Sequence, residues 1–140
     1  MKPMPRVLIV DNETDICRTL KDSLEARGYD TIVAQDGRAA MALVTLEAKQ
    51  GSITGVLLDV HMPIMDGLEA LKEIRARQPK LPVIVFSAAG DRAILEQAMR
   101  VGATLYVTKP FDMHFLMYAC DRLFRPGSAA EKGSNPNLDS

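Results

Sequence analysis

Five short apolar runs punctuate the chain, and longer stretches with helical spacing lie between them. Arg6-Val7-Leu8-Ile9-Val10 is the first run, nearly continuous and rich in β-branched residues. A strand covered by helices on both faces of a parallel sheet has this composition. Tyr29 to Ala34 is a second, less apolar run. Val56-Leu57-Leu58 is a third, ending on Asp59, and Val83-Ile84-Val85-Phe86 a fourth, ending on Ser87. Leu105-Tyr106-Val107 is the fifth and leads into Thr108-Lys109-Pro110. Ile16, Leu20 and Leu24 recur at intervals of four, which predicts a helix opened by Asn12-Glu13-Thr14-Asp15 and stopped by Gly28. Asp36-Gly37 turns the chain into an Ala-rich helix with Ala40, Leu43 and Val44. Leu68, Leu71 and Ile74 mark a helix after Gly67. Ile94, Leu95, Ala98 and Met99 mark another between Asp91 and Val101. Phe115, Leu116, Ala119 and Leu123 are the expected stripe of a last helix between Asp112 and Phe124.

Strand and helix thus alternate five times. That order predicts an α/β fold, a five-stranded parallel sheet with five helices on both faces and right-handed connections. From Pro126 to Ser140 the composition shifts to Gly, Ser, Asn, Pro and charge, with no apolar period. The expected division is a domain over residues 1–125 and a flexible tail or linker over 126–140.

Composition narrows the function classes. A chain of 140 residues, 47% hydrophobic and 25% charged, suits one globular domain that needs no staples. A net charge of -1 gives no pull toward nucleic acid or an anionic membrane. The apolar run behind the N-terminus is too short for a secretion signal, and no stretch approaches the ~18 apolar residues of a membrane span. A cytoplasmic protein with no nucleic-acid or membrane partner is expected. Cys17 and Cys120 fit no metal or redox spacing and read as small, half-buried side chains.

In an open parallel sheet, ligands bind beyond the carboxyl ends of the strands. Asp11-Asn12, Asp59, Ser87 and Lys109 stand at four such ends. Each has a bland alternative: a solvated loop acid for Asp11 or Asp59, a helix cap for Asn12, a strand terminator for Ser87, a solvated lysine for Lys109. Four compatible groups on one rim point instead to shared chemistry. Carboxylate oxygens suit a hard cation such as Mg²⁺. A carboxylate can also attack phosphorus and form an aspartyl-phosphate, with a metal and an ammonium offsetting the phosphoryl charge. Phe115, Met117 and Tyr118 exceed one helical stripe; core packing is the default and a partner or dimer surface the alternative.

The segment Val56-Leu57-Leu58-Asp59-Val60-His61-Met62-Pro63-Ile64-Met65-Asp66-Gly67 resembles the phosphoacceptor loop of response-regulator receiver domains of bacterial two-component systems. Leu8-Ile9-Val10-Asp11-Asn12-Glu13 is similar to their first strand and acidic pocket, Val85-Phe86-Ser87-Ala88 to their hydroxyl-bearing strand, and Tyr106-Val107-Thr108-Lys109-Pro110-Phe111 to their lysine-proline motif. The resemblance spans residues 6–124. It implies a flavodoxin-like sheet of order 2-1-3-4-5. It further implies that Asp59 accepts a phosphoryl group from a histidine kinase or phosphotransfer protein. Mg²⁺ would be held by Asp11, Asn12, Asp59 and the backbone carbonyl of His61, whose imidazole reads as a solvated loop group. Lys109, before a cis peptide to Pro110, and Ser87 would engage the phosphoryl group, and Tyr106 would move inward as a switch unless it is simply a buried sheet aromatic. The product would be a signal to a downstream effector or output domain, with slow self-dephosphorylation rather than enzymatic turnover, and with a phosphorylation-dependent dimer as an open alternative.

One departure stands out. Asn12 occupies the place of a second acid that ligates the metal in the family, so weaker Mg²⁺ binding is expected. Glu13 is adjacent and acidic, but it is expected in the first helical turn, facing elsewhere. Asn12 supports a rival reading, a phosphorylation-independent pseudo-receiver acting as an interaction module. An aspartate-nucleophile phosphatase is a second rival; it wants an acid two residues after the nucleophile, where this chain has His61, and a cap for which there is no room. The 15 residues after Arg125 are too few for an output domain. The chain is therefore either a single-domain regulator or a piece of a longer one.

Overall fold

The computed structural model describes residues 5–50, 53–60, 67–88 and 90–125, and for residues 46–50 the backbone alone. The elements in chain order are β1 (Arg6–Val10), α1 (Thr14–Ala26), β2 (Asp30–Ala34), α2 (Gly37–Gln50), β3 (Gly55–Asp59), α3 (Gly67–Arg77), β4 (Val83–Ala88), α4 (Arg92–Val101), β5 (Leu105–Lys109) and α5 (Met113–Phe124). The strands form one parallel sheet in the order β2-β1-β3-β4-β5. The alternating element order and the sheet order expected from the resemblance are both present. The fourth strand runs one residue beyond Ser87, to Ala88, and the fifth reaches Lys109 itself.

Alternate strand residues feed two cores. Leu8, Val10, Val56, Leu58, Val83 and Val85 pack with α2, α3 and α4. Val7, Ile9, Leu57, Ile84, Phe86 and Val107 pack with α1 and α5. Since successive strand side chains point to opposite faces, a continuous apolar run is what a two-sided cover requires. The tail, residues 126–140, and the loop residues 61–66 lie outside the described residues.

Two glycines show why the connections are as they are. Gly28 has φ +90°, a conformation that a side chain resists, and it ends α1 as its position predicts. A Cβ on Gly67 would lie 2.2 Å from Val60 Cα and 2.5 Å from the Asp59 carbonyl oxygen. The first turn of α3 therefore rests directly on the end of β3, where the Gly67 amide donates to the Val60 carbonyl at 3.0 Å.

Arg75 fastens the far end of the molecule. Its guanidinium donates to the carbonyl of Gly102 through both Nε (3.1 Å) and Nη2 (2.7 Å), and to those of Gln78, Pro79 and Leu81 through Nη1. One side chain thus satisfies carbonyls of the α3–β4 connection and of the residue that closes α4.

Several expectations need correction. Met99 and Phe115, placed on inward stripes, are 39% and 46% exposed. Leu116, Met117, Ala119, Cys120, Leu123 and Phe124 are the buried residues of α5, and Tyr118 is exposed. Six successive apolar residues hide the helical period, so the inward face was set by packing rather than by spacing. Cys17 and Cys120 are fully buried rather than half-buried. Burial lifts the thiol of Cys17 to about 11 and that of Cys120 well above the thiol range, which leaves both unreactive.

Candidate functional site at the carboxyl edge of the sheet

Just past the end of β1, the Asp11 amide donates to the Ala34 carbonyl of β2 at 3.1 Å. This holds Asp11, fully buried, at the sheet rim. Its Oδ1 accepts from the Glu13 amide at 2.8 Å, a local turn that a short carboxylate side chain makes readily. Glu13 rather than Asn12 then occupies the residue before α1, with extended backbone (φ -90°, ψ 109°) and no side-chain cap. Asn12 is exposed and is not the cap of α1. Beneath Asp11, the Cys17 thiol donates to its carbonyl at 3.2 Å.

β3 is adjacent to β1 and ends on Asp59, which is 3% exposed. β5 lies two strands beyond, about 10 Å away at the usual strand spacing. A long side chain crosses that gap. Lys109 Nζ donates to Asp11 Oδ2 at 2.9 Å, to Glu13 Oε1 at 3.1 Å and to Asp59 Oδ2 at 3.2 Å. The peptide from Lys109 to Pro110 is cis. Phe111 then stacks on Phe86 of β4, with ring centroids 5.1 Å apart.

Glu13 therefore faces the pocket, not away from it. Oxygens of Asp11, Glu13 and Asp59 lie within 4.8 Å of one another. Its place escaped detection because a residue just before a helix has extended backbone, and helical projection does not apply to it. The signal available was its offset of two from Asp11, the span of an aspartate turn.

Among the described residues, three carboxylates converge on the Lys109 ammonium. Burial raises the Asp11 carboxyl above its ordinary value and outweighs the Glu13 amide and Lys109, which act to lower it. Burial pulls the Lys109 ammonium down, but hydrogen bonds to Asp11 and Glu13 and the charges of Asp11 and Asp59 overcome this. The net effect holds it above the usual lysine range. Oxygen donors of this kind suit a hard divalent ion such as Mg²⁺. His61 lies outside the described residues.

Ser87 is fully buried near the end of β4, in register with Thr108 of β5. Its hydroxyl donates to Asp91 Oδ2 at 3.2 Å. Tyr106 points outward, 48% exposed, and lines an open groove with Leu95, Met99 and Thr108. It is not a buried sheet aromatic.

Residues 7–121 match the family described as the response regulator receiver domain. The chain is similar to the regulatory protein AtoC of Escherichia coli (strain K12), 38% identical over 113 residues, which are 81% of this chain and 24% of AtoC. It is similar to the transcriptional regulatory protein CpxR of the same strain, 33% identical over 132 residues, covering 94% of this chain and 54% of CpxR. The chain thus spans about a quarter to a half of these curated relatives. Among solved structures, the fold matches Vibrio cholerae chemotaxis protein CheY4 with TM-score 0.75 and 29% identity, over 86% of this chain and 98% of that one. A response regulator receiver domain protein from Clostridium thermocellum matches with TM-score 0.80 and 28% identity, over 86% and 94%.

Proposed function

The chain belongs to the response regulator receiver domain family, and from that premise we propose a phosphorylation-controlled switch with Asp59 as the acceptor. Family members of this kind serve signalling rather than turnover. The observation that carries the reading is the position of Lys109 Nζ, 2.9 Å from Asp11 and 3.2 Å from Asp59, two buried carboxylates on neighbouring strands.

In this reading an Asp59 carboxylate oxygen attacks phosphorus and the bond from phosphorus to the donor group breaks. The donor is a phosphohistidine of a kinase or phosphotransfer protein, or a small acyl phosphate. Lys109 stays between Asp11 and the incoming phosphoryl oxygens and offsets their charge. Ser87 donates its hydroxyl to one of those oxygens, and Tyr106 follows inward. Asp11, Glu13 and Asp59 would hold Mg²⁺, with Asn12 and the backbone carbonyl of His61 as the further ligands the family resemblance implies, and the ion would supply further neutralisation of charge on the transferring group. Residues 1–125 are the proposed switching unit, and 126–140 a tail or linker. The partners are a histidine kinase or phosphotransfer protein on one side and an effector or output domain on the other. A cytoplasmic setting agrees with the absence, among the described residues, of a helix long and apolar enough to cross a membrane.

Acetyl phosphate with Mg²⁺, read by intact mass, tests this directly. The wild-type protein should gain one phosphoryl mass and Asp59→Ala none. Equal labelling of both would remove Asp59 as the acceptor. No labelling of either would select the interaction module that Asn12 favours, a reading that the third carboxylate from Glu13 weakens.

A further inference from the structure

Lys109 carries three ammonium protons and meets three carboxylates: Asp11 at 2.9 Å, Glu13 at 3.1 Å and Asp59 at 3.2 Å. Its donors are therefore fully engaged at rest. A phosphoryl oxygen that takes a hydrogen bond from Lys109 must displace one of the three. They are not equally held. The side chains of Asp11 and Asp59 stand on neighbouring strands and are 0% and 5% exposed, whereas that of Glu13 is 57% exposed. Both Asp11 oxygens are in use, Oδ1 by the Glu13 amide and Oδ2 by Lys109. Withdrawing Lys109 from Asp11 would leave a buried carboxylate short of a donor, which is costly. At Glu13 water can replace the ammonium, and an ion pair so exposed is worth little. The Glu13 amide stays bound to Asp11 at 2.8 Å, so the exchange needs a turn of one side chain and no movement of the backbone.

We infer that Glu13 is the partner that gives up Lys109 to the phosphoryl group, and that until then its carboxylate competes with that group for the ammonium. This rests on the proposed role of Asp59 as the acceptor. In this role Glu13 is a positioning residue: it acts through Lys109 and not on the reacting atoms. The residue that helps to hold Lys109 in the resting pocket thereby sets how firmly the phosphoryl group is held afterwards.

Titration with beryllofluoride, a stable stand-in for a phosphoryl group on a carboxylate, tests the exchange, with Mg²⁺ saturating for each protein and binding followed by NMR. Glu13→Gln keeps the shape of the side chain and removes its charge. It should bind beryllofluoride roughly fivefold more tightly than wild type, the difference between a charge-assisted hydrogen bond and a neutral one. In Lys109→Met there is no ammonium to compete for, so adding Glu13→Gln should leave the affinity within about twofold. An equal gain in both backgrounds would mean that Glu13 acts on the phosphoryl group or the metal directly, and would overturn the inference. No gain in the Lys109-intact protein would overturn it as well. Wild type gives a second measurement that holds even if Lys109→Met does not fold: couplings across the hydrogen bonds from Lys109 Nζ to the carboxyl carbons of Asp11 and Glu13. On adding beryllofluoride, the coupling to Glu13 should vanish and that to Asp11 persist; the reverse would overturn the inference. Wild type that takes no beryllofluoride would overturn the acceptor reading, and this inference with it. Wild type that binds it, with Asp59→Ala failing to and the Glu13 coupling intact, would count against the exchange alone.

Discussion

Glu13 Oε1 lies 3.1 Å from Lys109 Nζ, so the residue after the missing acid supplies a carboxylate to the pocket. A pair of unit charges ~4 Å apart is worth about 4 kcal/mol at an effective dielectric near 20. Desolvation and retained waters offset much of that. Glu13→Gln should therefore weaken Mg²⁺ binding about tenfold, near 1.4 kcal/mol. Asn12→Ala, at an exposed position, should change it less. Calorimetric titration of the two variants gives the comparison, and the opposite ranking would return the metal-facing role to Asn12.

Asp11 makes the metal-free fold sensitive to pH. Its carboxyl is raised by burial, so its contribution to stability is full below the ordinary aspartate value of 3.8 and is lost as pH rises through the raised folded value. At pH 7 the charged, buried form is a burden. Asp11→Asn removes the charge and keeps an oxygen for the Glu13 amide. Without metal it should be more stable than wild type at pH 7, by about 1 kcal/mol. The advantage should shrink on acidification as wild-type Asp11 takes up its proton. Metal-free thermal melts across pH 3 to 8 measure it; a gap that ignores pH would show that Asp11 is not the source.

Asp121 should show the opposite sign. Burial pushes its carboxyl up, but hydrogen bonds from Arg27, Tyr29 and Arg125 outweigh this and hold it below 3.8. A lowered folded value contributes stability above the unfolded value and loses it as pH falls through the folded one. Asp121→Asn should melt lower than wild type at pH 7, and the two should converge toward pH 2. A constant difference over that range would mean that the loss is one of packing, with Arg125 stacked 4.5 Å over Tyr29 as its source.

Gly67→Ala probes the contact between α3 and the acceptor strand. The added methyl would meet backbone atoms of Asp59 and Val60, which cannot swing aside as a flexible side chain can. Overpacking of this kind costs about 1–3 kcal/mol. Urea denaturation should show that loss, and acetyl phosphate labelling should slow because the end of β3 moves. Unaltered stability would mean that α3 shifts freely.

The strands were legible because β3 and β4 are buried on both faces and carry uninterrupted apolar side chains. Asp11, Asp59 and Lys109 were legible because the strand ends of a parallel sheet converge on one rim. The inward face of α5 was not, since Phe115 to Cys120 are all apolar and only the neighbouring α1 and sheet decide which are covered. Tyr106 was ambiguous for a related reason: β5 is an edge strand, and one of its faces is open. Glu13 and Asp91 share a third cause. Both stand one residue before a helix, where side-chain direction depends on backbone torsion and on a specific partner. Lys109 and Ser87 supply those partners from elsewhere in the chain.

The grip of Arg75 on Gly102 gives α4 one anchored end, while the other opens at Arg92, after an aspartate that makes no side-chain cap. Ten residues of helix separate them, about 15 Å at 1.5 Å per residue. Any displacement of α4 is therefore smallest near Val101, where Arg75 holds the chain, and largest beside Arg92, like a door on its hinge.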